Sequence, residues 1–322
     1  MKFIGCISVI AWIAALTTAP PGFAQDYPSK PIRVIVGYPA GTTTDTAARL
    51  LTRPMQDLLR QTIIVEPRPG ANGGIGANAA KNAQPDGYTI FFGSVTNLTA
   101  TFTKANPVDA GTDFAPISDS LYSPQVLLVT TKLNVQTLDE LVAHAKNNPA
   151  GTLNNAVTFA AQDLIMHSVK NSKGLTYTNI PFTNFAQFLP LMAKGEIAMH
   201  VNLFGNAQSA LQAQSVRALF VTAAKRMSRY PDVPTAAELG VPGLERAGFS
   251  AGFWAPRGIP AAIGQRLSEA AQAAARNDEV QQQFAKLDYE AVGSTAADQL
   301  RNFTETMRFF SIAAKSANYQ PQ

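Results

Sequence analysis

Short apolar runs rich in β-branched residues alternate with helix-period segments along most of this chain, and this alternation constrains the fold more than any other feature. One helix-period segment, TLDELVAHAKNN, can be capped by Thr137 and places four apolar residues on one face: Leu138, Leu141, Val142 and Ala145. Strands separated by helices are typical of α/β proteins with mainly parallel sheets. The strands predicted from the runs are residues 32–36, 62–65, 88–92, 126–130, 156–159, 176–180, 197–201 and 216–221.

Two segments interrupt the alternation and predict the domain organisation. The first is DFAPISDSLYSPQVLLVT, and the second is the Pro-rich stretch RYPDVPTAAELGVPG, after which a strand-like run, FSAGFWAP, returns. The remaining residues have helical patterns. We therefore predict a first lobe at residues 25–125, a second lobe at 126–245, and a final part at 246–322 that completes the first lobe and adds C-terminal helices.

The N-terminal residues predict export. Lys2 is followed by an apolar run and then by the small-residue segment TTAPPGFA, which is the pattern of a secretory signal peptide cleaved after Ala24. The only cysteine, Cys6, lies inside this predicted signal. The mature protein is therefore expected to use no disulfide, no thiolate metal site and no cysteine nucleophile.

The charged residues argue against several classes of partner. The 26 Lys and Arg and the 22 Asp and Glu residues are scattered without a basic cluster. This distribution does not favour nucleic-acid binding or a membrane-surface helix. The three histidines, His144, His167 and His200, lack the spacing of a metal site, so neither a metal nor a cofactor is expected. His144 is expected to be solvated, and His200 could face a cleft.

The segment GFSAG, residues 248–252, matches the G-x-S-x-G pattern of hydrolases, in which Ser250 would be the nucleophile. That pattern requires a helix directly after the serine, whereas FWAP continues as extended chain. The histidine of such a triad should also follow the serine, and all three histidines precede it. Both points argue against a catalytic Ser250. An exported serine hydrolase using Ser250 is kept as the alternative to a binding protein.

The Gly-rich segment EPRPGANGGIGANAA resembles a phosphate-binding loop superficially. It satisfies neither G-x-G-x-x-G nor G-x-x-x-x-G-K-[ST]. A Gly-rich turn into a helix is the favoured interpretation.

The segment GYPAGTTTDTAARL lies between the first predicted strand and the first predicted helix. A helix start exposes unpaired backbone N–H groups at the positive end of the helix dipole, and small residues let an anion approach them. Thr42, Thr43 and Thr44 add hydroxyl donors, although an ordinary Thr cap with Asp45 in the first turn is equally consistent. A second cluster, FFGSVTNLT, follows the third strand at the same sheet edge, where α/β proteins bind ligands. The two clusters together favour an anion-binding cleft.

Six segments of the chain are similar to segments of a known family: YPSKPIRVIVGYPAGTTTD, EPRPGANGGIGA, PDGYTIFFGS, RALFVTAAKR, YPDVPTAAELGVPG and FWAPRGIP. They resemble the Bug family, the periplasmic solute receptors of tripartite tricarboxylate transporters. The resemblance implies a type II, Venus-flytrap-like periplasmic binding protein with two lobes, each a sheet flanked by helices. It also implies a monomeric, non-enzymatic receptor that closes on a small carboxylate and presents it to membrane subunits of the transporter.

The resemblance also implies the ligand contacts. In the first lobe they fall on two loops, with residues Tyr38, Ala40, Gly41, Thr42, Thr43, Thr44, Asp45, Ser94, Val95, Thr96 and Asn97. In the second lobe they fall on Thr158, Phe159, Ala160, Phe182, Asn202 and Phe204. There the sequence departs from the family, because Phe-Thr-Asn replaces the usual Tyr-Lys-Gly and Val-Asn-Leu replaces the usual Phe-Asp-Asn.

The second-lobe departure leads to a prediction about the ligand. Phe159, Phe182 and Phe204 accompany or replace residues that are usually small or charged, and aromatic walls can stack on a flat ligand. A ligand with an aromatic or apolar body is therefore expected over citrate or a short amino acid, unless these rings face the core. The sequence also leaves open whether the receptor serves transport or a sensor partner. Pro54, finally, should kink or split the first helix.

Overall fold

The computed structural model describes residues 27–321 apart from 95, 100, 101, 103, 105, 106, 149–151, 183–186 and the side chains of Asn97 and Arg246. The predicted signal peptide, Val95, Thr183 and Asn184 lie outside the described residues. Within those ranges, none of the helices has the length and hydropathy needed to span a membrane.

Six strands form the first sheet: β1 (Ile32–Val36), β2 (Ile63–Pro67), β3 (Thr89–Gly93), β4 (Phe114–Ser123), β10 (Phe249–Pro256) and β11 (Glu290–Ala291). Their order across the sheet is β11-β4-β10-β3-β1-β2. Strand β1 pairs in parallel with β2 and β3, whereas β10 runs antiparallel to β3 and β4.

Five strands form the second sheet: β5 (Gln125–Thr130), β6 (Asn154–Val157), β7 (Thr178–Pro181), β8 (Met199–Leu203) and β9 (Val216–Val221). Their order is β7-β6-β8-β5-β9. The α/β prediction is confirmed, but the expectation of mainly parallel sheets is wrong. Strand β5 runs antiparallel to β8 and β9, since it follows β4 almost without a turn and enters the second sheet directly from the first.

Nine helices pack on these sheets in the described part of the chain: α1 (Thr43–Leu59), α2 (Gly74–Lys81), α3 (Leu138–Asn147), α4 (Ala160–Lys173), α5 (Leu189–Lys194), α6 (Phe204–Gln212), α7 (Ala261–Ala275), α8 (Asp278–Lys286) and α9 (Ala296–Ser316). The predicted cap of α3 forms, because the Thr137 hydroxyl accepts the Glu140 N–H at 3.1 Å. The four predicted apolar residues of α3 are buried.

Helix α9 joins the two lobes. Near its start, the Gln299 side chain accepts the N–H of Ile117 at 2.8 Å and donates to the carbonyl of Phe253 at 3.2 Å, which fixes the helix to β4 and β10. Near its end, Phe310 and Ala313 are buried in the apolar core of the second sheet. The boundaries predicted for the lobes stay a prediction, and the last helix contributes to both cores.

Pro54 does not split the first helix. Helix α1 runs from Thr43 to Leu59 with Pro54 inside it. Three buried residues around the proline, Leu51, Met55 and Leu59, anchor the helix in the core of the first sheet. This packing holds the helix together although the proline supplies no N–H.

The Gly-rich segment forms a turn into α2, as the sequence favours, and its glycines also allow close packing. A Cβ on Gly37 would lie 2.6 Å from the Cα of Gly73, and a Cβ on Gly76 would lie 2.8 Å from the Cα of Gly37. The backbone before α2 therefore touches the backbone that follows β1. This contact supports the loop that leads into α1.

Candidate ligand-binding site

A cavity of about 300 Å³ lies between the two lobes. Nine of the residues predicted from the sequence line it: Tyr38, Thr42, Thr43, Thr44, Ser94, Thr96, Thr158, Phe159 and Asn202. The strand ends of both sheets therefore meet at one place. Nine further lining residues were missed by the sequence prediction: Gln125, Ala161, Gln162, Leu203, Asn206, Gly248, Phe249, Tyr289 and Phe310.

Of the predicted residues whose side chains the structure describes, six do not line this cavity: Ala40, Gly41, Asp45, Ala160, Phe182 and Phe204. The Phe204 ring is fully buried and stacks on Tyr230, with ring centroids 4.1 Å apart. The Phe182 ring packs against Phe188 at 5.3 Å, on the core side of the second sheet. These two rings prefer the lobe interior, where more apolar area leaves water.

The loop before α1 is held by the Asp45 carboxylate, which is only 1% exposed. Asp45 accepts the N–H of Gly41 at 2.9 Å and the Arg49 guanidinium through two hydrogen bonds of 2.9 and 3.0 Å. The Thr42 hydroxyl donates to the carbonyl of Pro39 and caps α1. Asp45 is therefore neutralised and shapes the loop, and the Gly41 N–H is already used.

Helix α1 begins at Thr43, and its first two residues, Thr43 and Thr44, line the cavity. Their N–H groups lie in the first turn of the helix, where no intrahelical acceptor exists. The Thr43 side chain interacts with the phenol of Tyr289, which lies in the loop between α8 and β11. Burial raises the pKa of Tyr289, so the phenol is neutral at physiological pH. The C-terminal part of the chain thus positions the mouth of the first helix.

The wall formed by the second lobe has a different character. The side-chain oxygen of Gln162 accepts the Thr158 hydroxyl at 2.8 Å and the N–H groups of Thr158 and Phe159, both at 3.2 Å. The loop between β6 and α4 therefore satisfies these donors internally. From this side the cavity is lined by Thr158, Phe159, Ala161 and Gln162, of which Thr158 and Gln162 are hydrogen-bonded to each other.

Five aromatic residues line the cavity: Tyr38, Phe159, Phe249, Tyr289 and Phe310. Among the residues that the structure describes, no charged side chain lines it. Burial raises the pKa of Tyr38 to about 12, and its hydroxyl donates to the carbonyl of Asn72 at 3.1 Å. The cavity therefore offers apolar faces with neutral hydrogen-bonding groups. This is the usual composition of a small-molecule site.

Gly248 is required beside the cavity. A Cβ there would lie 2.3 Å from the Tyr122 ring, which donates through its hydroxyl toward the carbonyl of Thr222. The glycine lets the strand β10 pass close to Tyr122 where the chain crosses between the lobes. Any larger residue would displace Tyr122 or β10.

Ser250 is the second residue of β10, with the strand continuing for six more residues, so it does not occupy a strand-to-helix turn. Its hydroxyl donates to the Asp119 carboxylate at 3.0 Å, and Asn302 approaches the other carboxylate oxygen at 3.4 Å. A separate cavity of about 30 Å³ touches Asp119 and Ser250, which is room for about one water molecule. Ser250 has no histidine beside it in these contacts, so the structure does not favour the hydrolase alternative.

His200 does not face the cleft. It is fully buried, its Nδ1 lies 2.7 Å from the carbonyl of Ala156, and the Phe188 ring packs on it at 4.2 Å. Burial lowers the pKa of His200 to about 4, so the ring is neutral. Among the described residues, no group of three His, Cys, Asp or Glu side chains could hold a metal ion.

The missed residues could not be found from local patterns. Tyr289 and Phe310 come from segments far along the chain that no motif marks, and Phe249 lies in GFSAG, whose pattern points to Ser250 and not to Phe249. Gln162 carries a weak signal, because a glutamine three residues after a helix cap often accepts the N–H of that cap. Gln125 lies at the start of β5, where the chain enters the second sheet, and its amide donates to the carbonyl of Ala247 at 2.7 Å.

The chain matches known proteins over nearly its whole length. Residues 47–311 match the family model described as tripartite tricarboxylate transporter family receptor. A UPF0065 protein of Bordetella pertussis is 34% identical over 282 residues, which cover 85% of each chain. Among solved structures, periplasmic binding protein BugD is 27% identical, with a TM-score of 0.76 over 92% of this chain and 100% of that one.

The structure of R. palustris Rpa4515 with adipate is also 27% identical, with a TM-score of 0.80 over 92% of this chain and 100% of that one. Family match, sequence identity and two-lobed architecture therefore agree. The chain belongs to the receptor family of the tripartite tricarboxylate transporters, and it has the two-lobed α/β fold of a periplasmic solute-binding protein.

Proposed function

We propose that this protein is an exported receptor that captures a small organic carboxylate in the cavity between its lobes and delivers it to the membrane subunits of a tripartite transporter. The family membership supports the receptor role and a periplasmic location. The structure of Rpa4515 contains adipate, a carboxylate, and that protein shares the fold over most of the chain. The role is binding without catalysis.

The observation that carries the proposal is the start of α1 at the cavity. Thr43 and Thr44 line the cavity at the start of α1, and the charge of the Asp45 carboxylate in the same turn is compensated by Arg49. A helix N-terminus attracts anions through its N–H groups and its dipole. One carboxylate of the ligand is placed here, with Ser94 and Thr96 on the neighbouring loop as further hydroxyl donors.

The closed arrangement of the two lobes is the state that tells the transporter that a ligand is bound. The cavity is lined from both lobes, so a ligand makes all its contacts only when the lobes are together. Binding energy that exists only in the closed state shifts the population toward that state. Ligand-free receptor should therefore be more open, and small-angle scattering should record a smaller radius of gyration when ligand is added.

A thermal-shift screen of the signal-less protein against a library of organic carboxylates tests the proposal. A ligand that binds the native state raises the melting temperature by mass action. Hits are then titrated by calorimetry, each beside its uncharged primary amide. Binding of carboxylates but not of the matched amides is expected. Equal binding of both, or no carboxylate hit, contradicts the proposal, and turnover of generic ester substrates would favour the hydrolase alternative.

A further inference from the structure

The Asn202 side chain, at the end of β8, has a donor without a partner. Four buried side-chain atoms have no hydrogen-bond partner in the described ranges: Asn155 Oδ1, His167 Nε2, His200 Nε2 and Asn202 Nδ2. Of these four residues, Asn202 lines the cavity and the other three do not. Buried donors are normally satisfied, so this N–H group requires an explanation.

The orientation of the Asn202 amide is fixed by its surroundings. The oxygen Oδ1 accepts the backbone N–H of Leu203 at 2.8 Å and the Asn206 amide at 3.0 Å. A flipped amide would place Nδ2 against the Leu203 N–H, which is donor against donor. The nitrogen is therefore the atom left over. Asn202 is only 3% exposed, so bulk water reaches it poorly.

The rest of the second-lobe wall does not use this donor. The hydroxyl of Thr158 and the N–H groups of Thr158 and Phe159 already donate to the Gln162 oxygen. That oxygen is engaged by three donors. Since Asn202 lies among residues that line the cavity, a bound molecule is the partner that can reach its Nδ2 group.

We infer that Asn202 is the specificity-determining residue of the second lobe: its Nδ2 group donates to an oxygen acceptor at the end of the ligand opposite to the carboxylate held at α1. This inference rests on the proposed capture of a carboxylate. It defines the ligand class as a carboxylate with a carbonyl, amide or second carboxylate oxygen at the far end. A ligand that ends in an ammonium group is rejected, because that group is itself a donor.

A series of ligands of equal chain length tests the inference on the wild-type receptor. Adipate monoamide, adipate, hexanoate and 6-aminohexanoate share a first carboxylate and differ at the far end, and para-substituted benzoates with the same end groups form a rigid second series. We expect the acceptor-bearing members to bind about tenfold more tightly than the methyl and ammonium members, the effect of one buried hydrogen bond. Comparison of the monoamide with the diacid distinguishes a neutral from a charged acceptor.

The variant Asn202→Asp should reverse the preference. It keeps the oxygen that Leu203 and Asn206 need, and it replaces the N–H donor by a carboxylate oxygen of the same shape. The affinity of the ammonium members should then rise by about tenfold or more relative to the affinity of the monoamides. The matched control is Asn171→Asp, which adds the same charge at an exposed position of α4 away from the cavity and should leave the order unchanged.

The outcomes separate the inference from the proposed function. One contrary result is that some members bind tightly while the order of affinities does not depend on the group at the far end. Another is that the order is the same in Asn202→Asp as in wild type. Either result overturns the role of Asn202 and leaves carboxylate capture intact. Absence of binding for both series overturns the capture of such carboxylates and the inference with it. Circular dichroism confirms that Asn202→Asp is folded, and the wild-type series decides the inference independently if it is not.

Discussion

Helices α1 and α4 both begin at the cavity, and their first turns differ. At α1, Thr43 and Thr44 line the cavity, and the carboxylate of Asp45 is turned back toward Gly41 and Arg49. At α4, the Gln162 side chain gathers the nearby donors, and the loop presents Phe159 instead. The first lobe is therefore suited to hold an anion, and the second to select the body of the ligand. Four predictions test or sharpen this contrast.

The prediction with the largest expected effect compares a phenylalanine of the core with one that lines the cavity. Phe204 is fully buried and stacks on Tyr230, so Phe204→Ala should lower the free energy of unfolding by roughly 3 to 5 kcal/mol. Phe159 is half-buried and faces the cavity, so Phe159→Ala should cost less than half as much. Urea unfolding of both variants measures the difference. Equal losses would mean that Phe159 belongs to the core.

The next effect concerns Asp119, on the strand that leads from the first lobe to the second. Burial raises the pKa of this carboxyl to about 6 from the usual value of about 3.9. The native state therefore binds the proton more tightly than the unfolded state, and stability present at about pH 4 is lost as the pH rises through about 6. Asp119→Asn should be more stable than wild type by roughly 2 to 3 kcal/mol at pH 8 and about equal at pH 4.

Unfolding in urea at several pH values measures the difference in stability between Asp119→Asn and wild type. The neutral His200, with its pKa lowered by burial to about 4, destabilises the native state in acid, but it does so equally in wild type and variant. Asp298→Asn is the control with the opposite sign, since the Thr295 hydroxyl and Arg301 lower the pKa of Asp298. A gap for Asp119→Asn that is constant with pH would mean that the carboxyl does not titrate in this range.

A third pair of variants compares the hydroxyls of the two lobes. Thr44→Val should weaken binding of a carboxylate by roughly 1 to 3 kcal/mol, because a donor to a charged acceptor is lost. Thr158→Val should change affinity by less than about 0.5 kcal/mol, since the Thr158 hydroxyl already donates to Gln162. Calorimetric titration gives both values. Similar losses would show that the second lobe also contacts the carboxylate.

The smallest effect tests the aromatic wall. Of the three phenylalanines that suggest an aromatic ligand, only Phe159 lines the cavity, but Tyr38, Phe249, Tyr289 and Phe310 join it. Phe159→Leu should weaken a benzoate-like ligand by about 0.5 to 1.5 kcal/mol more than an aliphatic ligand of similar size. Titration of both ligand types into both proteins measures this coupling. An equal change for the two types would leave the ring no stacking role, and tighter binding of citrate by wild type would contradict the preference.

The alternation of strands and helices determined the fold class, and the residues between β1 and α1 determined the position of the first-lobe mouth. Both are local features. A strand, a short loop of small residues and a capped helix follow each other within one segment, so backbone propensity and capping are enough to predict them. The polar cluster after β3 could be added because strand ends of one sheet meet at the same edge.

The tertiary structure alone decided which second-lobe residues face the cavity. A phenylalanine near a strand end is stabilised by burial in a core as well as in a ligand site, and burial has no preferred direction. Phe204 therefore turned toward Tyr230 and Phe182 toward Phe188, while Phe159 stayed at the wall. The contacts of Tyr289 with Thr43 and of Ser250 with Asp119 join segments far apart in the chain, and no local pattern encodes such pairs.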